Sequence, residues 1–149
     1  MQLSEQEQIR RNALDELKKL GINAYPPEEY PVSTMTSDIL KNFESNPDSY
    51  TDICIAGRIM SRRIMGAASF IELMDSTGRI QLYFKRDDIC LGEDKTLYNT
   101  VFKRLLDIGD IIGVKGFVFV TKMGEITVHV KEFTVLSKSL RPLPIVKEK

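Results

Sequence analysis

Residues 51–86 read TDICIAGRIMSRRIMGAASFIELMDSTGRIQLYFKR, and this stretch decides the fold. Ile53, Ile55, Gly57 and Ile59 share one face of an extended chain, while Cys54, Ala56, Arg58 and Met60 share the other. After a break at Met65-Gly66-Ala67, a second run from Ser69 to Met74 alternates Ile71 and Leu73 with Phe70 and Glu72. The turn Asp75-Ser76-Thr77-Gly78 leads into a third run, where Ile80, Leu82 and Phe84 alternate with Arg79, Gln81 and Tyr83. Three consecutive strands are predicted, each with one face apolar enough for a core. The opposite face carries Arg58, Phe70, Glu72, Arg79, Gln81 and Tyr83, which a core has little use for. An aromatic ring among hydrogen-bonding and basic groups suits stacking on, and edge reading of, an unpaired nucleobase.

Upstream, Ser4-Glu5-Gln6-Glu7 has the form of a capping box. Ile9, Ala13, Leu14, Leu17 and Leu20 follow at helical spacing, and Gly21 is a natural stop. The other side of this helix offers Arg10, Arg11, Lys18 and Lys19, either as solubilising charge or as phosphate contacts. Tyr25-Pro26-Pro27 through Pro31 reads as a linker. A short helix is predicted from Thr36 to about Glu44, with Ile39, Leu40 and Phe43 facing inward, closed by Ser45-Asn46-Pro47-Asp48.

Downstream, a helix is predicted from about Lys95 to Asp107, burying Leu97, Val101, Phe102, Leu105 and Leu106. Strand four is predicted over Ile111 to Thr121 and strand five over Ile126 to Leu136, joined by the turn Lys122-Met123-Gly124-Glu125. Three strands, a helix and two more strands is the order of an OB-fold, a five-stranded Greek-key barrel that binds oligonucleotides over strands two and three. The expected fold is therefore mainly β, an OB barrel with an N-terminal α-helical extension. The limits expected are residues 1–49 for the extension, 50–137 for the barrel and 138–149 for a stiff basic linker containing LRPLP.

Over 149 residues the chain holds 21 basic and 21 acidic groups, a balance that by itself does not advertise a nucleic-acid binder. Residues 51–86 nevertheless hold six basic against three acidic groups, so positive charge gathers on the first strands. No apolar run approaches the roughly 18 residues of a membrane span, and the first twenty residues do not resemble a secretory signal. Cys54, Cys90 and a single histidine argue against a disulfide scaffold or a zinc site, and a cytoplasmic location is expected. No metal site is expected.

A catalytic constellation is not found. His129 has no acid or nucleophile spaced to recruit it and reads as a surface or hydrogen-bonded residue. Gly109, Gly113 and Gly116 lack the GK[ST] of a P-loop and fit strand bends and bulges. Glu72 and Asp75 read as a strand residue and a turn starter.

The segments GRIMSRRIMGAASFIELMDSTGRIQLYFKRDDI, LYNTVFKRLLDIGDIIGVKGFVFVTKMGEITVHVKEFTVLSKSLRPLP and RRNALDELKKLGINAYP together resemble the anticodon-binding domain of bacterial class II lysyl-tRNA synthetases. The resemblance covers nearly the whole chain. It implies that Phe70 stacks on, and Gln81 reads, the central anticodon uridine, with Arg62 and Glu125 as further anticodon contacts. Arg10, Arg11, Arg58 and Arg63 are then expected on the tRNA backbone. Without the resemblance, the alternatives are that Phe70 covers a barrel edge and Arg62 is a surface arginine, and Glu125 reads better as an ordinary turn residue. Two positions depart from the family pattern: Ala67 stands where relatives commonly have lysine, and Met123 where a small polar residue is usual.

The family's ATP-binding motifs are missing, so the chain is expected to be a non-catalytic fragment without cofactors. Its full-length parent would use ATP and magnesium to charge tRNA(Lys) and would be a homodimer. The anticodon loop of tRNA(Lys) is the expected partner, with neither DNA nor membrane. Rival readings are the equivalent domain of an aspartyl- or asparaginyl-tRNA synthetase, an OB protein-docking module, and a general single-strand binder, which would need several outward aromatics.

Overall fold

The computed structural model describes residues 5–20, 30–96, 98–99, 102 and 106–137. Five strands, β1 (Ile53–Met65), β2 (Ala68–Met74), β3 (Arg79–Lys85), β4 (Ile111–Val120) and β5 (Ile126–Ser137), close into a barrel in the order β1-β2-β3-β5-β4. All neighbours are antiparallel except β3 and β5, which run parallel. Among the described residues three α-helices lie outside the strands, α1 (Glu5–Lys19), α2 (Thr36–Asn42) and the single turn α3 (Arg86–Ile89), with a 3-10 turn at Pro47–Tyr50.

β1 serves both halves of the barrel. Ile53 to Arg58 pairs with β4, and Arg58 to Met65 pairs with β2. A strand that changes partners has to bend, and the register slips by one residue between Ile59 and Ser61, a β-bulge at Met60. Gly57 sits beside this bend, where a Cβ would lie 2.5 Å from the Met74 carbonyl oxygen. A second slip falls between Lys115 and Gly116. Gly109, with φ of 101°, makes the turn into β4.

The alternation read from the sequence sorts the faces of β2 and β3. Ile71, Leu73, Ile80, Leu82 and Phe84 are buried, and Phe70, Glu72, Gln81 and Tyr83 are only partly so. Ile53, Ile55 and Ile59 enter the same core. Tyr98, Phe102 and Leu106, spaced by four, join the same core, with Phe102 stacked 4.3 Å from Phe84 and 5.2 Å from Tyr98. Each such aromatic buries area worth about 1.5–3 kcal/mol. Tyr98 was not anticipated in that stripe; its hydroxyl donates to the Gly66 carbonyl and bonds Ser69 at 2.7 Å. Leu97, Val101 and Leu105 lie outside the described residues, as do Ser4, residues 21–29 and the segment 138–149.

Several expected positions shift. Cys54 is buried despite its outward parity, because Tyr30 and Leu136 pack on it and Ser33 bonds its backbone. On α1, Ala13 and Leu17 reach the core while Ile9 and Leu20 are exposed. On α2, Ile39 is buried, Phe43 packs at the core's margin and Leu40 points to solvent.

Asp75 ties α2 to the β2–β3 turn. Its carboxylate accepts from the Thr36 amide (2.9 Å) and hydroxyl (2.9 Å), and from the Thr77 (2.8 Å) and Gly78 (3.1 Å) amides. Burial alone would raise its pKa, but the hydrogen bonds from Thr36 and Thr77 outweigh it and hold the group below the usual carboxylate range. A carboxylate with a depressed folded-state pKa contributes stability above its unfolded pKa of about 4, lost as pH falls through the folded value. Asp75→Asn should therefore cost about 1 kcal/mol at neutral pH. In paired denaturant titrations that gap should close as pH falls through the folded-state pKa, which lies below the ordinary carboxylate value. A pH-independent gap would assign the cost to packing rather than to the charge.

Candidate nucleic-acid interface

Adjacent strands bring the base-reading candidates together. In the β2–β3 ladder Phe70 faces Tyr83 and Glu72 faces Gln81, all on the outside of the barrel. Across the β1–β2 ladder Arg63 faces Phe70. A cleft of about 270 Å³ opens over this face, bordered by Arg63, Phe70, Glu72, Arg79, Gln81 and Glu125. It is smaller than the roughly 300–1,000 Å³ typical of small-molecule sites, a size suited to one flat heterocycle.

The two hairpins that frame an OB binding face frame this one. Gly66, with φ of 68°, and Ala67 link β1 to β2; positive φ at the first central residue alone makes this a type II′ turn. The β4–β5 hairpin turns at Gly124, with φ of 87°. It holds Glu125 by its backbone, the amide on the Thr121 hydroxyl at 3.1 Å and the carbonyl receiving the Thr121 amide at 2.9 Å. The Glu125 side chain is exposed. Past Gln81 and Glu125 the surface continues into a second hollow of about 390 Å³ beside Leu40 and Met123, the latter 93% exposed.

Phe70 is half-buried, its ring 5.2 Å from Tyr83 and under the Arg63 guanidinium, whose carbon lies 5.4 Å from the ring centroid. Glu72 and Arg79, both lining the cleft, form an exposed 3.0 Å ion pair. The Gln81 Nε2 donates to the Thr127 hydroxyl at 3.1 Å.

The arginines separate. Parity counted straight along β1 puts Arg62 outward, but the bulge at Met60 shifts the count by one. Arg62 instead pairs with inward-facing Ile71, and its Nη1 donates to the backbone carbonyls of Phe102 and Leu106. It borders the cleft, and Arg63, expected on the tRNA backbone, is the arginine that lies over Phe70. Arg58 donates to the Gly109 carbonyl at 2.9 Å, away from the cleft. Arg10 was expected on the free side of α1. It is 7% exposed, on the packed side, and donates to the Ile108 carbonyl at 3.0 Å. Arg11 is exposed on α1.

Sequence reading placed His129 on the surface of β5 but missed its acid partner Asp88 and the outward Phe117 and Phe119 of β4. His129 lies 5.2 Å from Tyr83 and stacks 4.7 Å from Phe117, so a ring-bearing row runs from Phe70 across β3 and β5 to β4. The Asp88 carboxylate bonds His129 Nε2. Among the described residues no helix is long and apolar enough to cross a membrane, and no group of three His, Cys, Asp or Glu could hold a metal ion.

Similar proteins match over nearly the whole chain. A lysine–tRNA ligase of Porphyromonas gingivalis is 59% identical over 150 residues, covering 100% of this chain and 26% of the relative. One from Christiangramia forsetii is 58% identical over 98% of this chain, and one from Azobacteroides pseudotrichonymphae is 56% identical over 99%. The chain thus spans about a quarter of the length of the curated relatives it matches. The family described as "OB-fold nucleic acid binding domain" matches residues 53–136, the five strands of the barrel with the segment between β3 and β4, and the chain belongs to that family.

Proposed function

We propose that this chain is the anticodon-reading part of a lysine–tRNA ligase and that it binds the anticodon loop of tRNA(Lys). The observation that carries the reading is that Phe70 and Gln81 lie on one outward face of adjacent strands, bordering a cleft sized for one base. The names of the relatives favour lysine over the aspartyl and asparaginyl readings. The central uridine stacks on Phe70, with Arg63 closing over it from β1. Gln81 meets its Watson–Crick edge, while Glu125 and the second hollow receive a neighbouring base. Arg11 on α1 is the expected backbone contact outside the cleft. Arg10, Arg58 and Arg62 have donors on backbone carbonyls and are not assigned to RNA.

The parent enzyme would activate lysine with ATP and magnesium in the length that this chain does not span. It would be a cytoplasmic homodimer, with neither DNA nor a membrane as partner. The chain itself supplies binding and orientation of the RNA.

Titration with lysine anticodon stem-loops carrying uridine or cytidine at the central position tests the reading. Wild type should prefer uridine. Gln81→Ala should reduce that preference by roughly tenfold, because a hydrogen-bonding site that loses its reader loses discrimination along with affinity. Equal binding of both loops by wild type would remove the reading.

A further inference from the structure

Gln81 can discriminate only if its amide is held one way round, because the two ends of an amide offer opposite hydrogen-bonding character. We infer that Thr127 is a specificity-determining positioning residue: its hydroxyl sets the Gln81 amide so that Oε1, an acceptor, faces the base. The inference rests on the function proposed above and adds a residue to its site.

The argument is one of proton count. Thr127 stands directly across from Gln81 in the parallel β3–β5 ladder and is fully buried. Its hydroxyl has one proton, which it donates to the Glu125 carbonyl oxygen at 3.1 Å. Toward Gln81 the same oxygen can then only accept, at 3.1 Å, so the Gln81 group against it is Nε2 and the group turned away is Oε1. Flipping the amide would set Oε1 against the Thr127 oxygen, two acceptors, unless the hydroxyl abandoned Glu125.

The chemistry of the base edge follows. Uridine presents N3–H, a donor that Oε1 accepts, whereas cytidine presents a bare N3 that repels it. A flipped amide would present Nε2, a donor that uridine O4 or O2 and cytidine N3 can each accept, and the discrimination would be lost. Thr127 also anchors the carbonyl of Glu125, so one buried hydroxyl sets both the reader and the hairpin beside it. Neither the resemblance nor strand parity singles this residue out.

The test uses the 149-residue chain with stem-loops carrying central uridine or cytidine. Thr127→Val keeps the shape and β-branching but removes the hydroxyl, leaving the amide free to turn. The uridine-over-cytidine ratio should fall roughly tenfold, the size of one lost hydrogen bond, and part of the fall should come from tighter cytidine binding. A role confined to folding would weaken both loops together. Thr127→Ser should restore the ratio. If wild type shows no preference, the function proposed for the site fails. If wild type prefers uridine and Thr127→Val keeps the full ratio, the positioning role alone is overturned. Should Thr127→Val fail to fold, contacts between the Gln81 amide protons and Thr127 in nuclear Overhauser spectra of the wild-type chain decide. Their presence supports the orientation, and their absence overturns it.

Discussion

Replacing Phe70 by alanine should weaken the binding of every anticodon loop by about 1–3 kcal/mol, roughly 5- to 150-fold in dissociation constant. The loss should not depend on the central base, because every base has a π-face. That separates Phe70 from Gln81, whose removal should act mainly on the uridine loop. The fold should survive, since Phe70 faces outward from a regular strand and the core beneath is built by Ile71 and Leu73. Its ring contacts are with Tyr83 and the Arg63 guanidinium, both on the same outer face. A thermal midpoint close to wild type, with binding weakened for uridine and cytidine loops alike, is the expected result. If the midpoint collapsed while binding per folded molecule held, Phe70 would be a structural residue and the base platform would have to be sought further along the row at Tyr83 and His129.

The faces of β2 and β3 were legible because both strands are regular over seven residues, so period-2 counting from any apolar anchor gives the same answer throughout. β1 defeated the count. Nothing marks Met60 as a bulge, with neither glycine nor proline there, and the slip follows from the strand's need to bend between β4 and β2. Cys54 shows a second limit, since its burial comes from Tyr30 and Leu136, which reach it from distant points of the chain. Thr127 shows a third. Its relation to Gln81 exists only through the parallel register of β3 and β5, across 46 residues of sequence. Arg10 was misplaced for a simpler reason: the apolar stripe of α1 is narrow, and the structure rolls the helix so that Arg10 joins Ala13 and Leu17 on the packed side.

The Met60 bulge makes its own prediction, in which neighbouring arginines exchange the roles that straight parity gives them. Arg62→Ala should cost about 2–3 kcal/mol of folding stability, because its guanidinium is a charged donor to the carbonyls of Phe102 and Leu106. RNA binding per folded molecule should change little. Arg63→Ala should leave stability within about 0.5 kcal/mol, as an exposed substitution does. It should weaken RNA binding by about 1 kcal/mol or more, through the lost cation over the base and the Phe70 ring. Denaturant midpoints and stem-loop titrations on the two variants, side by side, separate the effects. An Arg62→Ala chain with a wild-type midpoint and impaired binding would mean that Arg62 faces the RNA and that β1 runs into β2 without the bulge. The opposite pattern would assign Arg62 to joining β1 to the segment carrying Phe102 and Leu106, leaving Arg63 as the arginine of the reading face.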